Sequence, residues 1–287
     1  MLRNVLVTGG SGFIGSHVVD ALVKKKYNVT IIDLNSPKRR DVKFVKGSIL
    51  NKKLIQFLLK KNKLVFHLAA VSDINKVKNI PAMTVSTNVM GTTHLVEASR
   101  KAKVKRFVFA STYYSYGNAG NLYTTSKTAS ELIIKNYNLL FGLKYTILRY
   151  PTAYGPRNRK VDAVSIFVEC ALKNLDLIIH GNGQQKRNYI YAEDLGYGSL
   201  FALEKKPPNK IITLVSKRDT KIIDLARMII KITKSKSKIF FDKKKSRLDD
   251  FTSVFSYKSN HEKNLMIWRP KYSLEKGLKK YIELKIK

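Results

Sequence analysis

The chain has 287 residues, 44% of them hydrophobic and 26% charged, with one cysteine and a formal net charge of +35. This composition excludes a disordered chain, and a chain of this length buries roughly three quarters of its unfolded surface without covalent staples. The lone Cys170 excludes an intrachain disulfide framework and a cysteine-based zinc site, and no apolar run reaches the ~18 residues of a membrane span.

Met1 to Val5 runs directly into a first apolar strand, which leaves no room for a signal peptide, so a soluble cytoplasmic protein is expected. The charge excess points to a polyanion. However, 42 of the 55 basic residues are lysine, abundant together with Asn and Ile, whereas readers of nucleic-acid bases lean on arginine. A solvated, composition-driven surface is therefore the favoured reading, and nucleic acid is not expected as a partner.

Val5 to Val7 forms the first strand, followed by a helix with Ile14, Val18 and Leu22 on one face. Further strands are expected at Val29 to Ile32, Phe44 to Val45, Leu64 to Leu68, Phe107 to Ala110 and Tyr145 to Leu148. Helices are expected around Leu54 and Leu58, over 82–102 and over 123–141. Continuous apolar strands alternating with helices predict an α/β fold, a Rossmann-type doubly wound parallel sheet. After Pro151 the rhythm breaks at Gly155-Pro156, Gly181-Asn182-Gly183 and Pro207-Pro208. Helices near 161–173, 193–204, 221–233 and 274–284 belong to a smaller, interleaved C-terminal substrate region. The division expected is a dinucleotide-binding domain over 1–150, rejoined by segments near 188–215, and a substrate region over 151–287. Ile211 to Val215 is a candidate to return to the main sheet. The basic stretch Lys234 to Lys245, around Phe240-Phe241, reads as a solvated surface hairpin or loop.

Gly9, Gly12 and Gly15 form a G-x-x-G-x-x-G turn between the first strand and the first helix, which also takes in Phe13 and Ile14. Glycines there permit a tight turn and close approach of backbone to a pyrophosphate, and the helix N-terminus supplies N–H groups. Asp33 ends the second strand, 18 residues after Gly15, where a carboxylate accepts from ribose hydroxyls and repels a 2′-phosphate. This predicts NAD rather than NADP, although Lys38, Arg39 and Arg40 lie nearby. Ser16 stands where a P-loop needs lysine.

Tyr123 and Lys127 are four apart on one predicted helix, and an ammonium beside a phenol lowers its pKa from about 10 toward neutral. Such a tyrosine exchanges a proton with a sugar hydroxyl. His17, His67, His94, His180 and His261 show no paired metal spacing. Each reads as a satisfied or solvated imidazole, and no metal is expected.

Several motifs occur in order: Thr8 to Gly15, His67-Leu68-Ala69-Ala70, Asn88 to Thr92, Ala110-Ser111-Thr112 through Tyr116-Gly117, and Tyr123 to Lys127. Leu148-Arg149-Tyr150, Tyr154-Gly155-Pro156, Gly181 to Tyr189, Trp268-Arg269-Pro270 and Leu274 to Leu278 follow. On these the chain resembles the extended short-chain dehydrogenase/reductase family, in its NAD-dependent nucleotide-sugar epimerase/dehydratase group, over nearly its whole length. The resemblance implies that Thr112 hydrogen-bonds the substrate, Tyr123 is the acid/base and Lys127 holds the nicotinamide ribose. It implies that Leu68, Ala69 and Ala70 lie beside NAD. It implies further that Thr152, Arg187 and Arg247 contact the nucleotide sugar, the arginines through its diphosphate. A homodimer through the helices at 82–102 and 123–141 is implied as well.

Departures from the pattern narrow the reading. Dehydratases and decarboxylating members usually carry an acidic residue one or two positions after the threonine, and here these are Tyr113 and Tyr114. The stretch from Asn118 to Leu122 is short, Thr152 stands for the usual Asn, and Ser48 stands for the usual Asp. The expected activity is epimerisation at C4 of a nucleotide sugar through a 4-keto intermediate. The alternative is a 4-keto-sugar reductase with the same three residues. A non-catalytic RNA- or protein-binding member of the fold ranks below both.

Overall fold

The computed structural model describes residues 3–116, 121–159, 162–205, 207–242 and 268–286. Two compact units divide the chain. Met1–Tyr150 with Gly196–Leu214 form the first, and Pro151–Leu195 with Val215–Lys287 the second.

The first unit is built on a parallel sheet. Its strands are β1 (Asn4–Thr8), β2 (Asn28–Asp33), β3 (Lys43–Lys46), β4 (Leu64–His67), β5 (Arg106–Thr112) and β6 (Tyr145–Tyr150). The strand Lys210–Thr213 is the seventh and pairs with β6, Ile211 beside Ile147. The spatial order is Lys210–Thr213, β6, β5, β4, β1, β2, β3, and every neighbouring pair is parallel. Val5, Leu6 and Val7 are successive and fully buried, so both faces of β1 are covered by helices. The order reverses at β1, which has β2 on one side and β4 on the other. A crevice opens at such a reversal, beyond the carboxyl ends of the strands.

The covering helices are α1 (Phe13–Lys24), α2 (Lys52–Leu59), α3 (Ile74–Asn79), α4 (Pro81–Val85), α5 (Gly91–Lys101) and α6 (Leu122–Phe141). Asn51 caps α2 by accepting from Leu54 N–H at 3.0 Å, and Asn121 caps α6 by accepting from Thr124 N–H at 2.8 Å. Gly142 ends α6 in the left-handed conformation, φ +68°. Leu58, Leu95 and Ile134 pack on Leu6, Phe107 and Ile147 in one core. The single helix expected over 82–102 is interrupted, because α4 and α5 are joined by a π-turn at Ser86–Met90. The extra residue brings buried Asn88 to a segment that needs its amide.

The second unit has its own core, with Phe167, Leu177, Ile179, Ile229 and Tyr281 among its buried residues. Its helices are Ala163–Leu172, Ile222–Thr233 and Leu274–Ile286, and the helix Ala192–Lys205 contains the Leu195/Gly196 division. Part of the stretch expected as a hairpin or loop is instead a strand. Ile239–Asp242 pairs in parallel with Leu177–His180, because Ile239 packs on the core and the backbone bonds extend from Leu177 N–H to Lys238 O. Lys243 to Lys245 lie outside the described residues.

Candidate active site

The glycine turn lies at the reversal of strand order. Gly9 takes φ +70°, and a Cβ there would meet Ala69 N at 2.5 Å. A Cβ on Gly15 would run into the Gly9 carbonyl oxygen. Gly12 N–H donates to Gly9 O at 3.1 Å and begins α1 without a side-chain cap, so the N–H groups of the first turn, at Phe13 and Ile14, take no side-chain acceptor there. The hydroxyl of Ser11 is buried with no hydrogen-bond partner. Asp33 accepts from Ser11 N–H at 3.0 Å and from Asn35 N–H at 3.2 Å, which ties the acidic strand end to the turn.

Arg39 does not face the same space as a free cation. Its guanidinium donates to both oxygens of Asp41, at 2.7 and 2.5 Å, and to Asp20 at 2.6 Å. The pairing raises its pKa further.

Leu68, Ala69 and Ala70 leave β4 under tight control. Leu68 N–H donates to Thr8 O at 3.0 Å and Ala69 N–H to Thr8 Oγ1 at 3.2 Å. Asn88 then grips Val71 twice, accepting from its N–H at 2.8 Å and donating to its carbonyl at 3.0 Å. Behind this segment, His67 bridges Thr8 Oγ1 at 2.7 Å and Thr92 Oγ1 at 2.8 Å. Burial, and secondarily the Lys127 charge, hold its pKa well below the usual imidazole value. His67 is thus a satisfied, neutral core residue.

Thr112 ends β5 and is buried, and its Oγ1 accepts from Tyr114 N–H at 3.3 Å. Tyr123 and Lys127 stand one turn apart near the start of α6. Lys127 is only 3% exposed, and its Nζ lies 4.1 Å from the ring centre of Phe109 on β5. Burial pulls its pKa down to about 7, opposed by the carboxylate of Glu131. Glu131 in turn accepts from Arg149 Nε at 3.0 Å and Nη2 at 2.7 Å, and from the Ser111 hydroxyl. Asn88 Nδ2 donates to Ser126 Oγ at 3.0 Å and Ser130 Oγ donates to Asn88 O at 2.9 Å, fastening α6 to the π-turn.

The residues expected on the substrate side lie in the second unit. Thr152 opens a short strand paired with Tyr189–Tyr191, its N–H donating to Asn188 O at 3.0 Å. Arg187 sits in a two-residue strand opposite Thr220, held by the neighbouring Asn188, whose amide bonds Ser216 and Asp219. Arg247 lies outside the described residues, as does His261. Among the described residues no group of three His, Cys, Asp or Glu is placed to hold a metal. Nor is any helix among them long and apolar enough to cross a membrane. His94 departs from its expected environment, because its Nδ1 is buried without a partner, and burial lowers its pKa.

Sequence reasoning did not assign roles to Asn88, Glu131 or Arg149. Glu131 had a signal, since it lies four residues beyond Lys127 and so on the same helix face. Asn88 and Arg149 stood inside recognised motifs, but their partners are remote in sequence.

These residues suit a dinucleotide. The uncapped helix start, the glycine cradle, the orphaned Ser11 hydroxyl and the Asp33 carboxylate offer donors for a pyrophosphate and an acceptor for ribose. Residues 5–214 match the model of the NAD dependent epimerase/dehydratase family. The chain is 32% identical to a putative UDP-glucose 4-epimerase of Methanocaldococcus jannaschii, over 97% of both chains. It is 29% identical to the UDP-N-acetyl-alpha-D-glucosaminuronate decarboxylase of Bacillus cytotoxicus, over 99% of this chain and 98% of the relative. The crystal structure of a UDP-glucose 4-epimerase from Thermotoga maritima with UDP-glucose superposes with a TM-score of 0.89, at 32% identity and 99% coverage of both chains. The fold, the dinucleotide turn and these likenesses agree: the chain belongs to the NAD dependent epimerase/dehydratase family, an NAD-dependent enzyme group of the extended short-chain dehydrogenases/reductases.

Proposed function

We propose that the chain is a nucleotide-sugar 4-epimerase that works with Thr112, Tyr123 and Lys127. The observation that carries this reading is Lys127, buried one helical turn from Tyr123 on α6. In its ammonium form Lys127 favours the phenolate of Tyr123. Tyr123 Oη removes the proton from the sugar's C4 hydroxyl while Thr112 Oγ1 hydrogen-bonds that hydroxyl. NAD, when bound, supplies a reversible hydride acceptor. The 4-keto sugar turns in the site, hydrogen returns to the other face of C4, and Tyr123 gives the proton back to O4. The first-unit side chains assigned to NAD are those of Phe13, Ile14 and Asp33, with backbone from Gly9, Gly12, Gly15 and Leu68 to Ala70. Thr152, Arg187 and Arg247 are assigned to the nucleotide sugar.

Tyr113 and Tyr114 support epimerisation over dehydration or decarboxylation. A phenol is a far weaker acid than a carboxyl group and a poor replacement for one that must deprotonate C5 as carboxylate or, once protonated, give a proton to a leaving hydroxyl. Incubation with UDP-, GDP- and dTDP-sugars, followed by NMR, is expected to give C4 epimers with no net change in NADH. Catalytic accumulation of a 4-keto-6-deoxy sugar, or stoichiometric NADH consumption with a keto sugar, would overturn the assignment. Tyr123→Phe is expected to retain NAD binding and to lose roughly 10²–10⁴-fold in kcat.

We further propose a homodimer through the helical faces of residues 82–102 and 123–141. Met83, Met90, Leu132 and Leu139 are exposed there, Leu139 to 79%. Apolar side chains at helical spacing on two adjoining helices form a surface suited to burial against a second copy.

A further inference from the structure

The edge of the main sheet opposite the glycine turn, where the strands begin, carries a row of unpaired lysines. Lys60 and Lys61 precede β4, Lys103 and Lys105 precede β5, Lys144 precedes β6, and Lys210 opens the last strand. All six are exposed, and none pairs with a carboxylate among the described residues. The strands they introduce are consecutive in the sheet. The turns touch through their backbones, with Lys105 N–H donating to Lys63 O at 2.7 Å and Phe107 N–H to Lys144 O at 2.9 Å. Four strands at about 4.8 Å spacing make a row about 14 Å long.

Lysine-rich composition alone would charge both ends of these strands. It does not do so after β4 and β5, because residues 68–73 and 113–121 contain no lysine or arginine, whereas Lys217 and Arg218 follow the last strand. Neutralising helix dipoles accounts for part of the row, since α2, α5, α6 and Ala192–Lys205 all end at this edge. Their four C-termini sum to about −2 charges, against +6 for the named lysines. The nearby Glu97 is occupied by Arg100 and Lys101.

Beside the row is an open cleft of about 440 Å³ lined by Ser99, Lys103, Lys105, Phe141 and Lys144 among others. Ser99 Oγ is buried and has no hydrogen-bond partner, and the Phe141 ring is half exposed beneath the Arg100 guanidinium, 4.7 Å from its centre. A line of ammonium groups suits a chain of phosphates, and an exposed ring beside it suits a stacked base. Lysine contacts phosphate but reads no sequence, and Arg100, which also lines the cleft, is tied to Glu97 and lies over the Phe141 ring. We propose that this edge binds single-stranded nucleic acid without sequence preference, at a site separate from the dinucleotide turn.

The test is fluorescence anisotropy of a labelled 12-nucleotide RNA of mixed sequence with the full chain. Six contacts predict a slope of log affinity against log salt of about −4, a loss of roughly 300-fold between 50 and 200 mM salt. Lys103→Glu/Lys105→Glu/Lys144→Glu is expected to weaken binding more than tenfold at 50 mM salt and to leave sugar-nucleotide turnover unchanged. Phe141→Ala is expected to weaken it roughly 5- to 100-fold with the same salt slope. Lys231→Glu/Lys236→Glu/Lys238→Glu, an equal charge change in the second unit, is expected to cost less than threefold. Equal loss in both triple variants would assign the effect to overall charge and overturn the site. Unchanged affinity in Phe141→Ala would remove stacking, and with it the single-stranded assignment. No binding at 50 mM salt, or tighter binding to phosphatidylserine vesicles than to RNA, would also overturn the proposal.

Discussion

Glu131 closes a two-point ion pair on Arg149, one helical turn beyond Lys127. Both partners are buried, and the hydroxyl of Ser111, the neighbour of Thr112, completes the carboxylate's bonding. The pair therefore joins β5, β6 and α6 directly behind the proposed catalytic residues. Removing one member leaves an uncompensated buried charge, which costs roughly 3–5 kcal/mol. Glu131→Gln is expected to lose about that much stability in urea unfolding. It also removes the carboxylate that raises the Lys127 pKa. The alkaline limb of the kcat profile is thus expected to move to lower pH, whereas a structural loss alone would lower the profile without displacing it.

Lys127 makes stability depend on pH in a definite direction. Its folded pKa is about 7, against an ordinary 10.5. Between those values the unfolded chain holds a proton that the folded chain has released, so stability rises with pH across that window. Below it both states are protonated and the burial penalty is fully present. The buried phenol of Tyr150 has the opposite sign, because its pKa is raised and it matters only above about pH 10. Chemical unfolding of apo-protein from pH 6.5 to 9.5 should show the rise, and Lys127→Met should flatten it while gaining stability at pH 6.5. A wild-type curve that falls with pH would contradict the assignment.

Cofactor choice rests on Asp33 and on the capture of Arg39 by Asp20 and Asp41. A 2′-phosphate meets a carboxylate, and the Arg39 guanidinium is already paired with two carboxylates. Titration should show tighter binding of NAD⁺ than of NADP⁺. The double variant Asp20→Asn/Asp41→Asn releases Arg39 and should narrow the preference by roughly tenfold, through NADP⁺ rather than NAD⁺.

The proposed dimer predicts a specific failure. Leu132 and Leu139 are 55% and 79% exposed on α6, seven residues and about two turns apart. Leu132→Lys/Leu139→Lys places two charges on that face. Sedimentation velocity should show a dimer for the native chain and a monomer for the variant, with far-UV circular dichroism unchanged. A monomeric native chain at micromolar concentration would remove the interface.

What the sequence determined by itself was local. Glycines at 9, 12 and 15, an acid ending the second strand, and a tyrosine and lysine four apart are patterns set by backbone conformation and helical periodicity. The alternation of buried strands with helices likewise indicated a parallel sheet before any contact was known. Pairings across the fold were decided only by tertiary structure. Asn88 meets Val71 because a π-turn shifts it into place, Glu131 meets Arg149 from 18 residues away, and Thr8 meets His67 from 59. The same holds for Arg39, whose nearness to Asp33 in sequence suggested a role toward phosphate, until Asp20 on α1 and the adjacent Asp41 bound it. Periodicity states which face of an element is buried, and it does not state which polar group waits on the opposing element. A buried polar atom must find a partner or lose roughly 1–3 kcal/mol, and only the packed chain settles which one it finds.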